Sequence, residues 1–171
     1  GSVALQIGSG MSLWGLQGTG GSLSLSPSVA LEINGATNSS YAGAIRGMGG
    51  LEKSGSGTLT LSGNNVHLGG TTVSGGTLSV ASDSNLGAGT VTLGSGTLQV
   101  TGATTIDNAF NLSGGAIYNS AVNQTLSGVI SGTGRLVKTG PGLLTLEGIH
   151  THAGPTTLSN GTLRVTGITG K

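Results

Sequence analysis

Residues 47–80, GMGGLEKSGSGTLTLSGNNVHLGGTTVSGGTLSV, can be laid without a gap on residues 132–165, GTGRLVKTGPGLLTLEGIHTHAGPTTLSNGTLRV. The offset is a constant 85, and more than half of the 34 pairs are identical. Self-similarity at a fixed period marks a stacked-repeat architecture, in which each unit needs its neighbours to bury its apolar face. The shared positions are mainly glycines, aliphatics and threonines, residue types that shape a backbone rather than perform acid, base or nucleophile chemistry.

Inside each copy the finer unit is a glycine followed by alternation: Gly57-Thr-Leu-Thr-Leu61, Gly76-Thr-Leu-Ser-Val80, Gly142-Leu-Leu-Thr-Leu146 and Gly161-Thr-Leu-Arg-Val165, with relatives at 21–25, 89–93 and 96–100. Period-two alternation punctuated by glycine predicts short, half-buried strands. Leu59, Leu61, Leu78, Val80, Leu98, Val100, Leu144, Leu146, Leu163 and Val165 are expected to face inward, and Thr58, Thr60, Thr77, Thr97 and Thr162 outward. Glycines at 57, 76, 96 and 115, and again at 142 and 161, step by 19 or 20 residues. That step predicts a β-solenoid whose coil carries two or three strands. At a strand spacing of about 4.8 Å, roughly eight or nine rungs make a rod of about 40 Å.

The corners have their own chemistry. Ser74-Gly75-Gly76-Thr77 becomes Ser159-Asn160-Gly161-Thr162, a Gly/Asn exchange expected where φ is positive. Ser56-Gly57 becomes Pro141-Gly142, which reads as the centre of a type II turn with the glycine left-handed. No Gly-rich segment opens a helix, so a phosphate-binding loop is not indicated.

Composition narrows the function classes. The chain has 36 glycines in 171 residues and a charged fraction of 6%, against usual values of about 7% and about 25%. A net charge of +1 leaves no basic face, so neither nucleic acid nor an acidic membrane surface is expected as a partner. There is no cysteine, hence no thiolate site or disulfide, and no apolar run long enough for a membrane helix. The opening Gly1-Ser2 reads like a cloning remnant. With the pattern already running at Leu5 and still running at Val165, the whole chain, 1–171, reads as one solenoid segment of a longer protein, with repeat copies at 47–80 and 132–165.

The stretches GSGTLTLSGNN at 55–65 and GGTTVSGGTLSV at 69–80 resemble the passenger-associated strand repeat of bacterial autotransporters, and 140–165 resembles it with Pro, Ile and His departures. The resemblance implies a right-handed parallel β-helix, export by type V secretion, and an extracellular location at the bacterial surface. It says nothing specific about activity, because such repeats support adhesins, aggregation factors and secreted proteases alike.

The residues able to do chemistry are few. The acids are Glu32, Glu52, Asp83, Asp107 and Glu147, with no close pair in sequence. Asp83 and Asp107 are 24 apart, near enough to one coil to meet as a glycosidase pair would, but both sit in turn contexts. His67 and His152 share a repeat position and read as structural. His150 and His152 would share a strand face and could hold a divalent metal, but no third ligand is visible, and a chance surface pair is the simpler reading. Lys53 and Lys138, also equivalent, read as projecting from the wall or edging a corner, with an anionic-glycan contact as the functional alternative. Trp14 reads as a core or end residue, and Trp14, Tyr41, Phe110 and Tyr118 form no stacking stripe. No catalytic, cofactor-binding or metal residue is assigned, and no cofactor is expected.

Three classes of function follow. The first is a structural stem that supports projection, folding and adhesion or self-association, with itself or a host-surface protein or glycan as partner; exposed strand edges favour end-to-end pairing. The second is a stem attached to a secreted hydrolase, or a β-helix enzyme that cleaves polysaccharide. The third is an ice-binding surface of Thr-x-Thr pairs, for which Thr58/Thr60 and Thr90/Thr92 fit while Thr97/Gln99, Thr162/Arg164 and Leu143/Thr145 break the array.

Overall fold

The computed structural model describes residues 4–168; Gly1 and Ser2 lie outside them. It is all-β. Short strands pair in parallel throughout and stack as a β-solenoid of about eight turns. The one helical element among the described residues is a 3-10 turn at Asp83–Asn85.

Three walls recur in the order in which the chain visits them. The first carries Ala4–Ile7, Ser22–Leu25 and Ala44–Gly47, and resumes with Thr105–Ile106, Gln124–Leu126, Leu143–Leu146 and Thr162–Val165. Between these two sheets the wall is continued by backbone bonds from Val66 N–H to Ile45 O, Leu68 N–H to Gly47 O and Ala88 N–H to His67 O. The second wall is a seven-stranded sheet from Met11–Leu13 to Ile130–Gly132, and the third a seven-stranded sheet from Ser39–Tyr41 to Thr156–Leu158.

The alternation puts the expected aliphatics inside. Leu59, Leu61, Leu78, Val80, Leu98, Val100, Leu144 and Leu146 are at most 2% exposed, each contributing about 1.5–3 kcal/mol on burial. Thr58, Thr60, Thr77, Thr97 and Thr162 face out or lie half-buried. Leu163 is only partly buried and Val165 is 47% exposed, because Thr162–Val165 is the last strand of its sheet and no further described strand covers it. Tyr41, Phe110 and Tyr118 fill the core, whereas Trp14, in the coil of the edge strand Met11–Leu13, is 83% exposed and not a core residue.

Register corrects three corner readings. Thr97 pairs with Ile117, so Gly96 stacks on Ala116, not on Gly115, which pairs instead with Arg135. Positive φ falls on Gly76 (56°) and Gly161 (76°) and not on the exchanging Gly75 and Asn160. Gly57 and Gly142 are not left-handed, so the type II turn is not formed there. They are glycines because a Cβ would lie 2.4 Å from Thr37 O and 2.2 Å from Val122 O of the preceding coil.

Register also shows how the two copies are related. Following the ladder from Thr58 through Thr77, Thr97 and Ile117 reaches Val137 after four turns, still short of Leu143, the equivalent of Thr58. The second copy is therefore displaced by four turns plus one wall: Thr58–Leu61 lies on the third wall and Leu143–Leu146 on the first. The same sequence unit is used in two orientations about the rod axis, because each wall asks only for the same alternation and the same corners.

Candidate functional site

Of the chemistry-bearing residues that the copies share, Lys53, Lys138 and His67 are turned into the rod, and His152 is half-buried. Lys53 and Lys138 are 1% and 0% exposed, which overturns the reading of a lysine projecting from the wall; of that reading only the place at a corner survives. Each side chain lies along the apolar interior and its Nζ donates to corner carbonyls. Lys53 bonds Gly55 O. Lys138 bonds Thr139 O at 2.6 Å, Gly140 O at 2.8 Å and, on the next coil, Asn160 O at 3.1 Å. Burial holds both ammonium groups below the ordinary lysine value. A Cβ at Gly76 would sit 2.8 Å from Lys53 Nζ and one at Gly161 3.0 Å from Lys138 Nζ. In both copies the lysine head group thus sits at a corner carbonyl beside the left-handed glycine of the next coil, but only Lys138 bonds across to that coil.

A second interior element explains why aliphatics point outward at 65–68. Asn65 and His67 are buried there while Val66 and Leu68 are 44% and 58% exposed, the reverse of a simple strand. Asn65 Oδ1 accepts from Ile45 N–H at 2.8 Å and its Nδ2 donates to Asn85 O at 2.6 Å, replacing ladder bonds where the first wall is irregular. His67 packs beside Gly87, where a Cβ would come within 2.5 Å of the ring. Its Nε2 lies 2.9 Å from Thr71 Oγ1, and that hydroxyl donates its proton to Leu86 O. Nε2 therefore carries the hydrogen and Nδ1 is left bare and buried without a partner. His152 repeats the contact, with Nε2 2.9 Å from Thr156 Oγ1. The slot thus makes the same side-chain contact in both copies.

His150 is 4% exposed and neither ring nitrogen has a hydrogen-bond partner, so the pair with His152 is not a surface pair. No group of three or more metal-ligating side chains forms among the described residues.

Burial lowers the protonation of His67, His150 and His152, with the charge of His150 adding to the effect on His152. The sign is fixed: the unfolded chain takes up protons first, so the stability held above the ordinary imidazole value of about 6.5 is lost as pH falls below it. Urea midpoints followed by circular dichroism are expected to fall steadily from neutral pH toward pH 5. A flat profile across that interval would show that the rings accept protons in place.

The acids are placed as follows. Asp83 Oδ1 accepts the Asp107 N–H at 3.1 Å, so the two meet across adjacent coils, as a turn contact. Burial raises Asp83, and Asp107 opposes this through its amide while adding to it through its charge. Glu147 is exposed and stands apart from them on the first wall's edge. Sequence reasoning missed Glu32 and Glu52, which are register partners on the second wall. Their signal was the shared Leu-Glu context at 31–32 and 51–52. Ser54 Oγ donates to Glu32 at 2.6 Å and Ser74 Oγ to Glu52 at 2.9 Å, and the bonds from Ser54 and Ser12 hold Glu32 below the usual carboxylate value. A carboxylate held ionised on an outer wall is suited to ordering hydroxyls along the ladder, not to donating a proton. A depression of about 410 Å³ lies elsewhere, lined by Thr104, Thr105, Asn123, Gln124, Thr125 and Thr145 among others, with no acid or histidine.

The Thr-x-Thr pairs do not form one face. Thr58/Thr60 is on the third wall and Thr92 on the second, and Thr58/Thr60 stacks on Thr77/Ser79 and then Thr97/Gln99.

Residues 51–80 and 136–165 match the family model described as Passenger-associated-transport-repeat. No curated protein and no solved structure matches the chain. Each matched copy contains one buried lysine at a corner and one His–Thr contact. The chain is a β-solenoid that carries two passenger-associated-transport repeats, consistent with an autotransporter passenger domain.

Proposed function

We propose that this segment is the structural stem of a surface-displayed passenger, exported through the outer membrane, which projects and helps to fold the protein that contains it and supports adhesion or self-association through its walls. The whole of 1–171 acts as one solenoid unit in this reading. The observation that carries it is where the repeat places its polar residues: Lys53, Lys138 and His67 are buried in the interior, and the outer walls present Ser, Thr and Asn in register. Hydrogen bonds from such ladders are individually weak and gain strength only by repetition, which suits contact with another copy or with a host-surface protein or glycan. A stack held by nearest-neighbour contacts can also propagate folding from one completed coil to the next, as passage through a pore requires.

The test replaces residues 47–165 in the longer passenger with an unrelated β-solenoid of equal length and scores surface display, cell aggregation and host-cell binding. Retained display with loss of aggregation or binding is expected. Retention of all three would reduce the segment to a spacer beside an effector, which includes the hydrolase-stem reading. Loss of display would place its role in secretion or folding.

A further inference from the structure

The chain contains two Asn-Gly pairs, Asn34-Gly35 and Asn160-Gly161, and the fold treats them differently. In the first, Asn34 Nδ2 donates to Ser12 Oγ at 2.6 Å, and Gly35 is buried so tightly that a Cβ would lie 1.6 Å from Trp14 O. Asn34 itself is exposed; in the second pair, in the last described coil, both residues are exposed. The Gly161 N–H does not join a ladder; it donates to the Asn160 side-chain Oδ1 at 2.7 Å, which sets the amide nitrogen beside the side-chain carbonyl whose carbon it would attack. Gly161, at φ 76°, carries no side chain to shield that approach.

From this we infer that Asn160 is a self-modification site that converts to aspartate and isoaspartate without an enzyme, and that the fold protects Asn34 from the same reaction. The deprotonated Gly161 nitrogen attacks Asn160 Cγ. The N–Cγ bond forms, the Cγ–Nδ2 bond breaks, and Nδ2 leaves as ammonia with the proton that the backbone nitrogen gave up. Water then opens either C–N bond of the cyclic imide, leaving a carboxylate on residue 160 or a backbone lengthened by one methylene. Both products alter a corner whose carbonyl accepts from Lys138 Nζ: the first sets a negative charge beside a buried ammonium, the second moves the carbonyl itself. The first copy has Gly75 at this position and no such chemistry, so the modification acts on the second copy alone.

The experiment incubates the folded chain at mildly alkaline pH and follows both sites by peptide mapping with mass spectrometry, reading the exchange of NH for O. The same chain unfolded in urea supplies the intrinsic rate of each Asn-Gly pair. The Ser12–Asn34 bond must break before attack, so the normalised rate at Asn160 is expected to exceed that at Asn34 by about tenfold, a barrier difference of about 1.4 kcal/mol. Equal normalised rates, or faster conversion at Asn34, would overturn the assignment. So would an Asn160 rate in the folded chain far below its rate in urea.

Discussion

Gly76→Ala is expected to cost the fold about 3 kcal/mol or more, seen as a large drop in the urea midpoint followed by far-ultraviolet circular dichroism. Two effects add. The left-handed conformation at φ 56° disfavours any L side chain by about 1–2 kcal/mol. The new Cβ would also lie 2.2 Å from Gly55 O and 2.5 Å from Gly57 O. Both are backbone atoms of the preceding coil, and Gly57 N–H is itself bonded to Gly35 O of the coil before, so relief requires separating rungs. Gly20→Ala is the control: nothing lies within 4 Å of its Cβ, and a change below about 0.5 kcal/mol is expected there. Equal midpoints for the two variants would mean that the corner is softer than its contacts imply.

Lys138→Met is expected to lower stability by about 2 kcal/mol, and Lys53→Met by less, in the same measurement. Methionine keeps the apolar stem in the interior but leaves the carbonyls of Thr139, Gly140 and Asn160 without their donor, against one carbonyl at Lys53. Charge-assisted bonds of this kind contribute about 1.5–3 kcal/mol each, and the cost of burying the ammonium offsets part of the sum. The pH dependence separates the two terms. With the folded lysine held below its ordinary value, the unfolded chain binds the proton more tightly, so the contribution of Lys138 rises as pH climbs toward about 10.4, opposed over the same range by Tyr41 and Tyr118, whose hydroxyls burial raises. Lys138→Met should remove its share of that rise while lowering stability at neutral pH. A neutral or stabilising Lys138→Met would show that desolvation outweighs the three bonds, and that Lys138 serves register more than stability.

The repeat makes the architecture readable from the sequence. Alternation at 57–61 and 76–80 follows from hydrophobic burial alone, and a step of 19 or 20 residues is the contour of one coil, so strand content, inward faces and stacking were all legible. Single residues of the corners were legible only in part. A Gly/Asn exchange signals a tight turn, but which of two adjacent glycines takes positive φ depends on where the neighbouring coil's carbonyls lie. The site was harder still. Lysine is an exposed residue by every local rule, and what draws Lys138 inside is a set of carbonyls that converge only when coils close, while Lys53 takes the equivalent corner with one carbonyl of its own coil. Asn65 and His67 go in, and Val66 and Leu68 out, for the same kind of reason, since unpaired backbone groups on an irregular wall cost more than two exposed aliphatics.

A stack of short strands is written in the residues alone, because periodicity is a local property that any coil must satisfy to bury its aliphatics. Contacts between coils alone set the second copy one wall around from the first, bring Glu32 to Glu52, and turn the shared lysines and His67 inside. Those outcomes depend on contacts between residues about twenty apart along the chain, whose register is set by the sum of all corner lengths and is written at no single position.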